Sequence, residues 1–455
     1  MMEPEARNEP PSILPAGPAW IVAAWSFLGI AALVTAIAVA RGCVNVPYWD
    51  DFDAYLGFLV RIEDASGLGE RLRIASEFHN EHRTLTSRAA VWLAHAFGAP
   101  MNFRVLGWAG ASMLLPAALL VAARTQNRVS QAAAAFFAAA FVLSLQHWEN
   151  LFWGGSSADH VTVVPLSMLA LLLLQPRSVR AVAGAVVAAF LAAMTLAHGL
   201  LVFPIGLGVL ASQRRWRALT AWAAATLVLA LWWMFGFPAS PGHAYEHPGF
   251  GELLLVGRFW LGLLGAPLAF GSRLAAPWIG GAIVAAILVT WCLRWWREHP
   301  YHASLLAFLS AALLAIAVGR AGMGPWDFMV SRYRILSCLI LAIGSWVLFE
   351  KARGGQRRAR IACLALVAAV LGHWCEQTVD HWWRADAFHD RQLAGAAHYA
   401  AHGTLEGSEV QLYYDGPKAD RILEDCAKRG IFDLARVAPA DPHAAVIEER
   451  PRSPQ

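Results

Sequence analysis

Charge is what this sequence has least of. Of its 455 residues only 15% are Asp, Glu, Lys or Arg, against 58% hydrophobic, where soluble domains carry about 25% charged residues. The shortage argues against reading the length as two or three soluble domains. Cysteine is sparse as well: there are six, none in CxxC spacing, which removes the common zinc and redox motifs. Cys43, Cys375 and Cys426 fall on one side of the topology drawn below, leaving room for one disulfide. No HExxH, internal repeat or low-complexity tract is present. The segment Met1 to Pro18 also lacks the basic flank of a signal peptide, with Glu3, Glu5 and Glu9 against Arg7. No small-residue cleavage site follows the first apolar run, so that run is expected to stay as an anchor.

What the chain has instead is apolar length. A spanning helix needs roughly 20 predominantly apolar residues, and such runs fall near 19–40, 104–123, 130–148, 159–175, 181–198, 200–211, 218–235, 274–293, 302–319, 334–350 and 360–376. The expectation is an all-α polytopic membrane protein of about eleven transmembrane helices, with many of its 21 Trp in interfacial girdles. The run at 200–211 is short and holds Pro204; a broken helix there needs protein or a cavity to satisfy its backbone.

The net charge of +4 is small, and its placement carries the information. Arg124 and Arg128, Arg177 and Arg180, Arg214, Arg215 and Arg217, Arg294 and Arg297, and the Lys351 to Arg360 group occupy five short links. All five share one side if the spans alternate, and the positive-inside rule makes that side cytoplasmic. Arginine so placed reports topology and not nucleic acid. The division is then a cytoplasmic tail over 1–18, a transmembrane domain over 19–376 with a first extracytoplasmic loop at 41–103, and an extracytoplasmic region over 377–455. The stretch 236–273 is expected on the outer side. Within the first loop, Tyr55, Leu56, Leu59 and Val60, then Leu85, Trp92, Leu93 and Phe97, have the spacing of amphipathic helices lying in the interface. In the tail, Glu409 to Tyr414 reads as a strand, Asp415-Gly416-Pro417 as a turn and Lys418 to Arg429 as a helix, together a small α/β appendage.

Four polar groups stand on the expected outer face. Asp50, Asp51 and Asp53 follow the first span; neighbouring carboxylates raise one another's pKa and suit a general base, a cation site or a solvated helix cap. His79, Glu81, His82 and Arg83 crowd a short stretch that a helical turn would gather on one side. His147, Glu149, Asp159 and His160 surround Trp148 and Trp153, where they line a site or anchor the interface. Arg320, Arg332 and Arg334, with Tyr333 between the last two, stand out because three arginines here run against the positive-inside trend; an anion such as a lipid phosphate is the natural reason, since a guanidinium binds it bidentately. Pairing with Asp327 or the Asp50 cluster is the alternative. His198, His243, Glu246, His247 and Glu252 complete the set.

Taken together, the first span, the acidic Asp50-Asp51 beyond it, the long first loop, the further spans and the outer tail resemble the GT-C class of integral-membrane glycosyltransferases. Within it the chain is most similar to an uncharacterised bacterial group with motifs like His79-Asn80-Glu81-His82-Arg83, Trp148-Glu149-Asn150 and Gly319-Arg320 with Ser331-Arg332-Tyr333. The resemblance implies a polyprenyl-phosphate sugar as donor, inversion at the anomeric carbon, and an envelope glycan, lipid or protein as acceptor, within a bacterial inner membrane. It implies Asp50, or secondly Asp51, as the base. Arg332 with Arg320 or Arg334 would hold the phosphate. Glu81 and His82 would position sugar or acceptor, Glu149 would assist, and His79, Arg83 and Tyr333 would line the site. It implies no metal or other cofactor. A carrier that flips a lipid-linked glycan is the competing function; carriers place charge at mid-membrane and often contain inverted repeats.

Overall fold

In the computed structural model, residues 18–236, 249–322, 324, 327–353 and 357–437 are described. The tail expected over 1–18, Pro18 excepted, lies outside them, as do His243, Glu246 and His247. The described chain is all-helical, and nine of its helices are long and apolar enough to cross a membrane. It is a multi-pass membrane protein.

The bundle begins with α1 (Pro18–Gly42), α2 (Phe103–Ala122), α3 (Arg128–Val142), α4 (Gly154–Leu173), α5 (Val179–Ala193) and α6 (Ala197–Ser212). It continues through α7 (Trp216–Met234), α8 (Phe250–Leu268), α9 (Ala275–Cys292), α10 (Pro300–Arg320) and α11 (Ser331–Arg353). Then α12 (Arg357–His402) runs for 46 residues without a break, straight through position 377, and α13 (Gly416–Arg429) closes the described chain. Every expected span has a helix. One was missed: α8 lies inside the stretch 236–273, where Glu252 and Arg258 interrupt an otherwise apolar run. It packs against α9 as an antiparallel hairpin.

The centre of the bundle is α3. Its sequence, with seven alanines between Val129 and Val142, is buried almost throughout, and such small side chains let neighbouring helices approach closely. Asn127 caps it by accepting from Ser130 N at 2.9 Å. At 15 residues it is about 22 Å long, shorter than a bilayer core, so the chain that follows it is folded irregularly within the protein. That chain, 143–153, carries the Trp148-Glu149-Asn150 motif.

The arginine-bearing links gather at one end. Arg215 donates to Leu174 O, Tyr301 Oη to Leu120 O at 3.0 Å, and Trp346 Nε1 to Ser130 Oγ at 3.0 Å. The first loop and the tail meet at the other end, where they build a second apolar core. Phe52, Leu56 and Leu59 pack there with Leu412, Leu423 and Phe432. Main-chain bonds join the two segments, from Trp49 N to Leu412 O at 2.8 Å and from Met101 N to Ile431 O at 2.9 Å.

This packing replaces the expected α/β appendage. Glu409 to Tyr414 is not a strand: among the described residues no strand lies beside it, and its backbone bonds are from Trp49 N to Leu412 O and from Val410 N to Ser408 Oγ at 3.2 Å. The expected turn is the start of α13: Asp415 caps it by accepting from Lys418 N at 3.0 Å. All six cysteines are free.

The helix that carries part of the site, α4, is set by a close crossing with α2. A Cβ added at Gly110 would lie 2.2 Å from the Ser157 carbonyl. Replacing Gly110 by Val should therefore cost about 1–3 kcal/mol of overpacking, read as a fall of several degrees in the thermal unfolding of detergent-solubilised protein. Gly29→Val, made where a Cβ meets open space, should leave that transition unchanged.

Candidate active site

Two short π-helical turns face each other at the end of the bundle remote from the arginine links. One, Phe52–Gly57, directly follows Asp50 and Asp51; the other, Ser157–Val161, opens α4 and holds Asp159 and His160. Such turns occur mostly at functional sites. They are tied together by Tyr55 Oη, which donates to Asp159 Oδ2 at 3.0 Å. Between them lies a cavity of about 180 Å3 lined from six stretches of the chain, by Asp50, Asp51, Glu81, His82, Asp159, Arg320 and Arg332 among others.

The three aspartates have three different fates. Asp50 stands at the cavity with its side chain half exposed, and His79 Nε2 lies 3.6 Å from its Oδ1. Enclosure pushes its carboxyl up, but His79 and the charges of Arg332 and Arg320 outweigh that and hold it below the ordinary range. It is ionised at neutral pH. Asp51 is 1% exposed and accepts from Tyr48 N at 3.0 Å. Burial raises its carboxyl well above the usual range in spite of that bond. Its Oδ1 would lie 2.1 Å from any Cβ at position 155, so Gly155 is what admits it. Asp53 faces away, bonded to Tyr413 and paired with Lys418 at 2.7 Å.

Residues 79–82 form a tight two-residue hairpin and not the expected helical turn. His79 N donates to His82 O at 2.8 Å, and His82 N to His79 O at 3.0 Å. Asn80 takes the left-handed φ of +51° that this reversal needs. The hairpin turns Glu81 and His82 into the cavity. Arg320 Nη2 donates to Glu81 Oε1 at 2.6 Å. Ala197 N donates to His82 Nδ1 at 3.3 Å, which leaves the proton on Nε2, itself 3.5 Å from Glu81. Burial lowers this imidazole to about 4, so it is neutral at pH 7.

Arg83 leaves the site. Its guanidinium lies 4.0 Å from the Phe78 ring centroid and 4.7 Å from that of Trp232, and donates to Ser76 O and Phe235 O. It fastens the loop to α7 and does not line the cavity.

Arg332 sits on a 3-10 turn, Ser331–Tyr333, at the head of α11. Its guanidinium lies 5.5 Å from the Trp153 ring and 5.3 Å from the Tyr333 ring. Its main chain is held by the Trp-Glu-Asn segment: Glu149 Oε2 accepts from Arg332 N at 3.1 Å and from Ser331 Oγ at 2.7 Å. Asn150 Nδ2 donates to Arg332 O at 2.7 Å. Glu149 was expected to line the site; it faces this turn instead. Arg334 was expected there too, yet its guanidinium donates to Met329 O at 2.9 Å and lies 3.2 Å from His381 Nε2, behind the turn. His147 is fully buried against Val142 O at 2.7 Å.

Of the residues expected in the site, the cavity therefore gathers Asp50, Asp51, His79, Glu81, His82, Arg320, Arg332 and Tyr333, and leaves out Arg83, Glu149 and Arg334. It adds Tyr55, Asp159, His160 and His198. Each of the last three stood out in the sequence as a polar residue near an apolar span; Tyr55 was hidden among core aromatics. No group of three or more His, Cys, Asp and Glu side chains among the described residues is arranged to hold a metal ion. The chain matches no protein-family model, and no curated protein compared with it is similar in sequence.

Chemically, the cavity sets the Asp50 carboxylate and two guanidiniums around a space of about 180 Å3, beside a second carboxyl, Asp51, whose pKa burial raises. The raised Asp51 has a consequence for stability. The fold holds that proton more tightly than the unfolded chain, so the benefit is complete below the unfolded value of about 3.9 and is lost as pH rises through the folded one. Asp51→Asn keeps an acceptor for Tyr48 N and carries no ionisable group. Its midpoint of thermal unfolding should match wild type near pH 4 and exceed it increasingly towards pH 8. An equal offset at both pH values would show that Asp51 ionises normally.

Proposed function

We propose that this protein is an integral-membrane glycosyltransferase of the GT-C kind, moving a sugar from a polyprenyl-phosphate donor to an acceptor hydroxyl. The observation that carries the reading is that the Asp50 carboxylate and the Arg320 and Arg332 guanidiniums, drawn from opposite ends of the sequence, line one cavity. In the reaction, the acceptor oxygen attacks the anomeric carbon and passes its proton to Asp50. The bond from that carbon to the phosphate oxygen breaks, and the polyprenyl phosphate leaves with the electron pair. Arg332, preorganised on its turn, stabilises the charge that develops on the departing phosphate. Arg320 with Glu81 and His82 contacts sugar or acceptor.

The finer topology belongs to the same proposal. The arginine links face the cytoplasm and the cavity faces outward, in a bacterial inner membrane, with the N-terminus inside and the C-terminal region outside. Leu68, Leu72, Leu93 and Phe97, all exposed on the first-loop helices, would then rest on the outer leaflet. The acceptor is an envelope glycan, lipid or protein. The competing carrier function fits less well, because the polar groups gather at one end of the bundle and not at its middle.

The test is an envelope-glycan profile of a strain lacking the gene, complemented with wild type, Asp50→Ala or Arg332→Ala, with each protein's membrane level measured. We expect one sugar to be missing and only wild type to restore it, the variants losing at least a hundredfold in transfer. Full restoration by both variants would remove the base and phosphate roles and favour the carrier.

A further inference from the structure

Arg332 and Arg320 occupy the cavity on different terms. Arg320 is paired with Glu81 at 2.6 Å. The guanidinium of Arg332 has aromatic faces beside it, from Trp153 and Tyr333. The carboxylate nearest along the fold, Glu149, is turned to the main chain of the same residue and to Ser331. The contact is reciprocal: Glu149 N donates to Ser331 Oγ at 3.2 Å while Ser331 Oγ donates to Glu149 Oε2 at 2.7 Å. On the other side of the turn, Asn150 donates to Arg332 O and accepts from Ser156 Oγ at 2.9 Å. Asn150 and Ser156 are buried, and Ser156 reaches the cavity wall.

A 3-10 turn of three residues makes few hydrogen bonds of its own, and its first N–H groups have no partner within the turn. Here the Arg332 N–H is taken by Glu149, a residue far away in sequence, which also accepts from the Ser331 hydroxyl. The negative charge at the start of the turn also matches the dipole of α11 behind it.

We infer that Glu149 and Asn150 are positioning residues that fix the backbone of Arg332, so that its guanidinium is held in the cavity as a preorganised phosphate-binding group. The inference rests on the proposed phosphate role of Arg332 and deepens it. Glu149 acts through its oxygens as acceptors and touches neither sugar nor phosphate. A glutamine keeps one such oxygen in place; an alanine keeps none. A residue that acted by its charge on the ligand would lose its effect in both.

The experiment is binding of farnesyl phosphate to the full-length protein in nanodiscs, by titration calorimetry, for wild type, Glu149→Gln, Glu149→Ala, Ser331→Ala, Arg332→Ala and the Glu149→Ala/Arg332→Ala double variant. Thermal unfolding checks that each is folded. Loss of the hydrogen bonds to the turn should weaken binding about tenfold in Glu149→Ala and less in Ser331→Ala, while Glu149→Gln stays within about threefold of wild type. Because Glu149 acts through Arg332, the double variant should bind no more weakly than Arg332→Ala alone. If Ala and Gln weaken binding equally, or if the two losses add, Glu149 meets the ligand itself and the inference fails. If Glu149→Ala does not fold, Ser331→Ala binding as wild type does would overturn it. Wild-type affinity in Arg332→Ala would instead overturn the phosphate reading, and the positioning role with it.

Discussion

Ionised groups beside a hydrocarbon layer must be paired, hydrogen-bonded or left in contact with water, because desolvating them without compensation costs several kcal/mol each. Much of the architecture at the cavity end is the working out of that constraint. Arg83 is placed between aromatic rings and carbonyl oxygens, Asp53 is met by Lys418 and Tyr413, and Glu149 is given to the N–H and hydroxyl of a turn. Asp50 stays half exposed, and Asp51, which is buried, has its carboxyl pushed up by that burial. At the cavity itself the same holds, with Arg320 paired to Glu81 and His79 beside Asp50.

The same constraint explains why three motifs that sit far apart in the sequence come together. The short α3 ends inside the bundle, and the irregular chain after it has main-chain groups that helices cannot satisfy. The Trp-Glu-Asn segment and the Ser-Arg-Tyr turn complete one another's hydrogen bonds, as the hairpin at Asn80 and the head of α6 do through His82 and Ala197. Irregular backbone at this depth is tolerated because it is enclosed by protein.

Hydropathy made the bundle legible: each of the eleven expected spans has a helix, but α4 starts five residues early through polar, glycine-rich turns, α3 stops six residues short, and α12 continues 26 residues past its expected end. The helix α8 escaped because Glu252 and Arg258 break its apolar run, although Glu252 only caps the first turn by accepting from Gly249 N at 2.7 Å. At the site, the co-location of Asp50 with Arg332 could be anticipated from the side of the membrane on which each should fall. The removal of Arg83, Glu149 and Arg334 from the cavity could not, since it depends on which way a side chain turns from its backbone. A charge motif reads the same whether its guanidinium faces a ligand or a ring. The strand expected at Glu409 to Tyr414 failed for a related reason. Its alternation is real, but the partner is a second hydrophobic core and not a neighbouring strand.

The continuity of α12 has mechanical implications. At 46 residues it measures about 69 Å, more than twice the hydrocarbon thickness. It touches Trp20's end of the bundle at its start and the tail core at its finish. Between them, Phe388 packs on Tyr48 and Trp148, one residue short of Asp50's neighbour Trp49 and one short of Glu149. A rod fixed at three heights behaves as a lever. A tilt of about 5° at its base would sweep its far end through about 6 Å, and Phe388, about two-thirds of the way along, through about 4 Å. With no break in the helix between the two cores, a displacement at one of them passes Tyr48 and Trp148, the chain neighbours of Trp49 and Glu149, before it reaches the other.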